Sequence, residues 1–281
     1  MPLKDVIFEH RLYLPLAGFG MFLPVSAYYL WGRNNFRAMV ICLSAVVACY
    51  SALAYQRNKV WKNEITLWSD VIQKSPHKAR GYNDRGQAYY KQGDFTKALL
   101  DLNKAIRIDP GMATAFVNRG AVYNKEGDYR QAILNFNKAI KIDPDYVDAY
   151  LDRANVYRKL NDFTRTLSDY DKIIEIDPKD AVSYNLRGVI YFNHGDIIQA
   201  LSDFNKAIEL NPRDADSYNL RGVIYFNRGN IIQALSDFNK AIEIDPRNTR
   251  ALLNLTRKEG AYLVQELGYA VNPELIKVLK N

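Results

Sequence analysis

Residues 183–213 read SYNLRGVIYFNHGDIIQALSDFNKAIELNPR, and residues 217–247 read SYNLRGVIYFNRGNIIQALSDFNKAIEIDPR. The two stretches begin thirty-four residues apart and differ only at His194/Arg228, Asp196/Asn230, Leu210/Ile244 and Asn211/Asp245. Near-identity on this scale points to duplication, and it supplies a period with which to read outward.

The period extends along most of the chain. Pro76, Pro110, Pro144, Pro178, Pro212 and Pro246 all stand thirty-four residues apart. Between them run Gly86, Gly120, Ala154, Gly188 and Gly222, then Tyr89, Tyr123, Tyr157, Tyr191 and Tyr225. Further rows are Ala98, Ala132, Thr166, Ala200 and Ala234, then Leu102, Phe136, Tyr170, Phe204 and Phe238, then Ala105, Ala139, Ile173, Ala207 and Ala241. Small residues at fixed places let two helices cross closely, and aromatic rows fill the space between one helix pair and the next. Gly93-Asp94, Gly127-Asp128, Asn161-Asp162, Gly195-Asp196 and Gly229-Asn230 suit a turn in which Gly or Asn ends one helix left-handed and Asp or Asn caps the next. The proline then ends the second helix.

These residues resemble the tetratricopeptide-repeat (TPR) pattern. The resemblance implies an all-α fold, a right-handed α-solenoid of stacked helix hairpins. Five repeats are expected over 79–248, dividing near 113, 147, 181 and 215, with the third the most degenerate. Residues 249–281 are expected to form capping helices. Upstream, Trp68 and Val71 fall in register with the aromatic and small rows, so 59–78 reads as a junction whose helix, Glu64–Lys74, is capped by Asn63 and lacks a partner of its own.

The N-terminal part reads differently. Residues 12–31 and 38–56 carry no charged side chain, and a helix needs about twenty apolar residues to cross a bilayer. A membrane region over 1–58 with two transmembrane helices, about 12–31 and 37–56, is therefore expected, against the alternatives of a signal peptide or a buried core helix. Pro24 would kink the first. The positive-inside rule does not orient the pair, with Arg33 and Arg37 against Arg57, Lys59 and Lys62. The run Glu9-His10-Arg11-Leu12-Tyr13-Leu14-Pro15, the apolar segments, and Arg57-Asn58, Trp61 and Leu67-Trp68 are similar to the C-terminal membrane region of protein O-mannosyltransferases and of transmembrane-and-TPR mannosyltransferases. In that family the catalytic acids lie in a loop near the start of a longer membrane domain, and no stretch here matches it. The resemblance implies a multi-pass membrane location, an extracytoplasmic (periplasmic or luminal) repeat array, association with a membrane glycosyltransferase, and a chain that keeps the tail without the catalytic part. A truncated relative, an accessory protein and a start upstream of Met1 all remain open.

The formal charge of +7 does not point to nucleic acid. Residues 1–78 hold nine Lys/Arg against four Asp/Glu, whereas 79–281 hold twenty-nine against twenty-seven, so the excess avoids the repeats. Cys42 and Cys49 stand about two helical turns apart, too far for a disulfide. His10, His77 and His194 lack metal-ligand spacing, and the chain has no HExxH, CxxC or phosphate loop. No catalytic, cofactor or metal residue is expected, and the chain is read as a non-enzyme. Arg85, Arg119, Arg153, Arg187 and Arg221 recur sixteen residues before Asp101, Asn135, Asp169, Asp203 and Asp237. This ladder reads as a structural pair within each hairpin in preference to a charged binding stripe.

In TPR domains the first helices line the concave face, so the resemblance implies a peptide groove at their variable positions. The candidates are Asn83, Gln87, Tyr90 and Lys91, then Val117, Ala121, Asn124 and Lys125, then Leu151, Asn155, Arg158 and Lys159. The last two repeats add Asn185, Val189, Phe192 and Asn193, then Asn219, Val223, Phe226 and Asn227. Asparagines suit a peptide backbone, Val and Phe suit apolar side chains, and the lysines of the first three repeats favour an acidic segment. The expected function is a membrane-anchored scaffold or adaptor holding a protein or peptide. The alternative is a substrate-presenting module of an O-mannosyltransferase-like enzyme.

Overall fold

The computed structural model describes residues 40–41, 44–52, 55 and 63–246. From residue 63 onward these form α1 (Glu64–Lys74), α2 (Ala79–Lys91), α3 (Phe95–Ile108), α4 (Ala113–Glu126), α5 (Tyr129–Ile142), α6 (Val147–Lys159), α7 (Phe163–Ile176), α8 (Ala181–Asn193), α9 (Ile197–Leu210), α10 (Ala215–Asn227) and α11 (Ile231–Ile244). The described residues contain no strand. After α1, consecutive helices pair as the hairpins α2/α3, α4/α5, α6/α7, α8/α9 and α10/α11, and each hairpin packs on the next. The result is an all-α solenoid.

Local chemistry delimits each hairpin. Gly93, Gly127, Gly195 and Gly229 take φ near +80° (+76° to +83°), and Asn161 stands in for them at φ 56°. Asp94, Asp128, Asp162 and Asp196 then accept a hydrogen bond from the backbone three residues on, capping α3, α5, α7 and α9. Asn230 occupies the equivalent place before α11 but makes no side-chain cap bond. Asn63 caps α1 through the Thr66 amide at 2.9 Å.

The core sits where the two helices of a hairpin cross. Leu102, Phe136, Tyr170, Phe204 and Phe238 are at most 1% exposed. A Cβ at Gly120 would lie 2.6 Å from Phe136 Cε1, and one at Gly222 would lie 2.7 Å from Phe238 Cε1. The glycine row is thus the space into which the aromatic row of the partner helix fits. In the third hairpin Ala154 and Tyr170 share a core cluster at the same places.

The Arg–Asp ladder is structural. Arg85, Arg153, Arg187 and Arg221 each donate Nε and Nη2 to the two carboxylate oxygens of Asp101, Asp169, Asp203 and Asp237 at 2.5–3.0 Å. Nη1 of each reaches back to the second helix of the preceding unit: Ser69, Asn137, Asp171 and Asn205. Arg119 makes the same reach to Asn103 at 2.6 Å, but its own hairpin offers it only the amide oxygen of Asn135 at 2.8 Å. With no carboxylate partner in its hairpin, burial leaves the Arg119 guanidinium below its ordinary pKa.

The expected membrane location is corrected. Among the described residues no helix is long and apolar enough to cross a membrane. The expected span 12–31 lies outside the described residues. Of 37–56, only 40–41, 44–52 and 55 are described, as helix, and they do not make a helix of spanning length. A run without charge establishes only that crossing is affordable; it does not establish a continuous helix long enough to do so. The multi-pass location and the extracytoplasmic placement of the array, which depended on those spans, fall with them. The expected capping helices at 249–281 also lie outside the described residues.

Candidate functional site

The stacking gives the solenoid two unlike sides. First helices touch one another, α2 against α4 and α4 against α6, whereas no comparable contact joins successive second helices among the described residues. The first-helix side is therefore the inner, concave one. No comparable contact joins α6 to α8 or α8 to α10, so the first helices stand closer together in the first half of the array than in the second.

On that side, a cavity of about 530 Å³ lies between α2, α4 and α6. Its apolar lining is Met112, Val117 and Leu151, and its polar lining includes Arg80, Asn83, Asp84, Gln87, Asn118, Tyr146, Asp148 and Asp152. Each helix contributes residues one turn apart, such as Asn83 and Gln87 on α2 or Asp148 and Asp152 on α6, because side chains four apart share a helix face. Asn118 Nδ2 donates to Asn83 Oδ1, and Asn83 Nδ2 donates to Asp84 Oδ1, both at 2.9 Å. Arg80 Nε stands 3.5 Å from the Asp84 carboxylate. Burial, reinforced by the neighbouring Asp148, pushes the Asp152 carboxyl up to about 6. Tyr146 and Tyr90 are also raised, first by burial and then by the field of nearby aspartates that include Asp152.

The structure distributes the sequence-derived candidates unevenly. Asn83 and Gln87 line this cavity together with Val117 and Leu151. Tyr90 packs beside Phe95, ring centroids 6.0 Å apart. Lys91 is held by Glu64 at 3.1 Å, and Lys159 donates to Asn124 Oδ1 at 2.8 Å. Lys125, Asn193 and Asn227 are exposed; Arg158, also exposed, makes a long contact to Asn155 at 3.4 Å. Asn185 donates to Ser217 Oγ at 2.6 Å, and Asn219 is buried. Val189 and Phe192 pack on the cluster of Ala200, Phe204 and Ile224, while Val223 and Phe226 pack on that of Leu235 and Phe238. These four serve the hairpin cores.

Sequence reasoning missed Asp84, Asn118 and Asp152. A signal was present: these occupy one register position, and its next two members are Leu186 and Leu220. The inner row is therefore polar in the first three repeats and apolar in the last two. Among the described residues no His/Cys/Asp/Glu group could hold a metal.

Antiparallel helix pairs copied at constant length, stacked side by side around an inner trough, define a helical-repeat scaffold. Tetratricopeptide-repeat profiles match residues 86–127, 122–161, 147–180, 181–214 and 215–248, which together cover more than half of the chain. The chain belongs to the tetratricopeptide-repeat family. It is 27% identical over 110 residues to the human protein O-mannosyl-transferase TMTC3, covering 39% of this chain and 12% of that protein. A 44-residue stretch is 48% identical to the SGT1 homolog of Oryza sativa subsp. japonica, covering 16% of this chain and 12% of that one. The matched regions thus span about an eighth of these curated relatives. Among solved structures, the chain is similar to YrrB, described as a TPR protein with an unusual peptide-binding site, with a TM-score of 0.55 and 26% identity over 68% of this chain and 98% of that one.

Proposed function

We propose that this chain is a scaffold that holds a protein or peptide in the trough formed by its first helices. The cavity between α2, α4 and α6 carries this reading. It sets the apolar side chains of Met112, Val117 and Leu151 among polar ones able to hydrogen-bond a peptide backbone. The likeness to YrrB, a TPR protein with an unusual peptide-binding site, supports it. Binding rather than catalysis fits a fold of this kind, whose repeated hairpins present an extended surface. Gln87 and Asn155, on first helices and not committed to a hairpin core, are the candidates that suit this role best. The similarity to O-mannosyl-transferases supports a second reading, in which the trough presents a polypeptide to such an enzyme.

The test is selection of peptides from a random displayed library on the folded chain, followed by binding to two variants. Gln87→Trp fills the trough with bulk and no charge. Leu100→Arg alters the outer face, where Leu100 is 64% exposed. Selected peptides should lose at least about tenfold in affinity on Gln87→Trp and none on Leu100→Arg, with both variants keeping the parent's circular dichroism. The reverse pattern would put the binding surface elsewhere.

A further inference from the structure

The trough reading leaves the chemistry of the occupant open, and the α2/α4/α6 cavity narrows it. Three carboxylates, Asp84, Asp148 and Asp152, line it against one cation, Arg80. Arg80 faces Asp84, and Asn83 also donates to Asp84. Asp148 lies in the first turn of α6, where the helix dipole favours a negative charge. Asp152, one turn further in, has no hydrogen-bond or ion-pair partner among the described residues. A half-buried carboxylate left in this way is costly, and the upward displacement of its titration expresses that cost. In the same cavity, Met112, Val117 and Leu151 provide an apolar surface of the kind that the methylene stem of a long cationic side chain covers while its head stays polar.

Resting on the peptide-binding reading above, we infer that the cavity seats a lysine or arginine side chain of an extended peptide, its stem on Val117 and Leu151 and its charged head between Asp148 and Asp152. This departs from the acidic segment that the lysine row suggested. Lys91 and Lys159 of that row are engaged within the chain, to Glu64 and Asn124, and none of the row lines the cavity. The seat is confined to the first three repeats, because the register position of Asp84, Asn118 and Asp152 becomes Leu186 and Leu220 beyond them.

The probe is an immobilised positional-scanning library of nine-residue peptides, in which one position at a time is fixed as Lys, Arg, Ala or Glu. It is read with the whole chain at pH 7.5. At one position Lys or Arg should exceed Glu by about tenfold or more, the scale of one charge-assisted pair. Asp152→Asn should reduce that preference several-fold, and Asp152→Lys, which places a cation in the seat, should abolish it. Lowering the pH to 5 should reduce the preference of the parent and leave Asp152→Asn unchanged, because Asp152 then protonates among its neighbours Asp148, Asp84, Arg80, Tyr90 and Tyr146. Binding that is lost on Gln87→Trp yet shows no preference for a cation, or a preference that survives both Asp152 variants, overturns the inference and leaves the trough reading standing. Binding indifferent to Gln87→Trp overturns the trough reading itself.

Discussion

Asp152 shows what an unpartnered charge does to the free chain. Its carboxyl titrates near 6, above the ordinary aspartate range that it would have in the unfolded chain. Between about pH 4 and pH 6 the folded state therefore holds more protons than the unfolded one, and stability falls as the pH rises through that window. Above it the whole cost is present. Asp152→Asn should accordingly stabilise the chain by about 3 kcal/mol at pH 7.5, with the gain fading by pH 4. Denaturant melts of both proteins across that range check it; a gain independent of pH would mean that the carboxylate is not the source. The neighbouring Arg153 is the opposite case, since its guanidinium meets both oxygens of Asp169. One turn of one helix thus carries a satisfied ion pair on one side and an unsatisfied charge on the side that faces the trough.

At the level of the helix pair, the close crossing decides. Alanine in place of glycine inside a helix ordinarily gains about 1 kcal/mol. At Gly120 the added methyl would stand 2.6 Å from a Phe136 ring that is itself fully buried, and overpacking of that kind costs about 1–3 kcal/mol. The clash should win. Gly120→Ala should lower stability by about 1–2 kcal/mol, and pairing it with Phe136→Leu, the residue that the first repeat carries as Leu102, should recover part of the loss. Thermal melts of the three proteins decide it, and a stabilising Gly120→Ala would mean that the crossing can relax. Such packing was legible in the sequence because small and large residues alternate at constant spacing, and so were the turns, since only Gly or Asn enters a left-handed conformation cheaply. Asn230 was less legible: asparagine is a good capping residue, yet here it makes no side-chain cap bond. The trough was the least legible part. A residue on a first helix can serve either the groove or its own hairpin, and periodicity marks both alike. Phe192 and Phe226 look like ligand contacts in the sequence, and the structure packs them inward. Asp152 was overlooked because it adjoins Arg153 and passes for part of the ladder.

Across the whole molecule, nearest-neighbour stacking makes length a variable. Removing residues 181–214 would join 180 to 215 in register and bring Arg221 to the place of Arg187, opposite Asp171. The shortened chain should keep a cooperative, helical melt at a midpoint lower by several degrees. Loss of cooperativity, or aggregation, would show that the duplicated units are not interchangeable. The arginine row has one more consequence. Each guanidinium grips the second helix of its own hairpin and that of the hairpin before it, so the outer side is bound like the spine of a book. The inner edges carry no arginine bridge; they are joined by the lighter bonds of Asn118 to Asn83, Lys159 to Asn124 and Asn185 to Ser217, and α6 and α8 hardly touch. Thermal flexing should therefore fan the inner edges apart about a spine of nearly fixed length, admitting a long guest sideways while every arginine bridge stays closed.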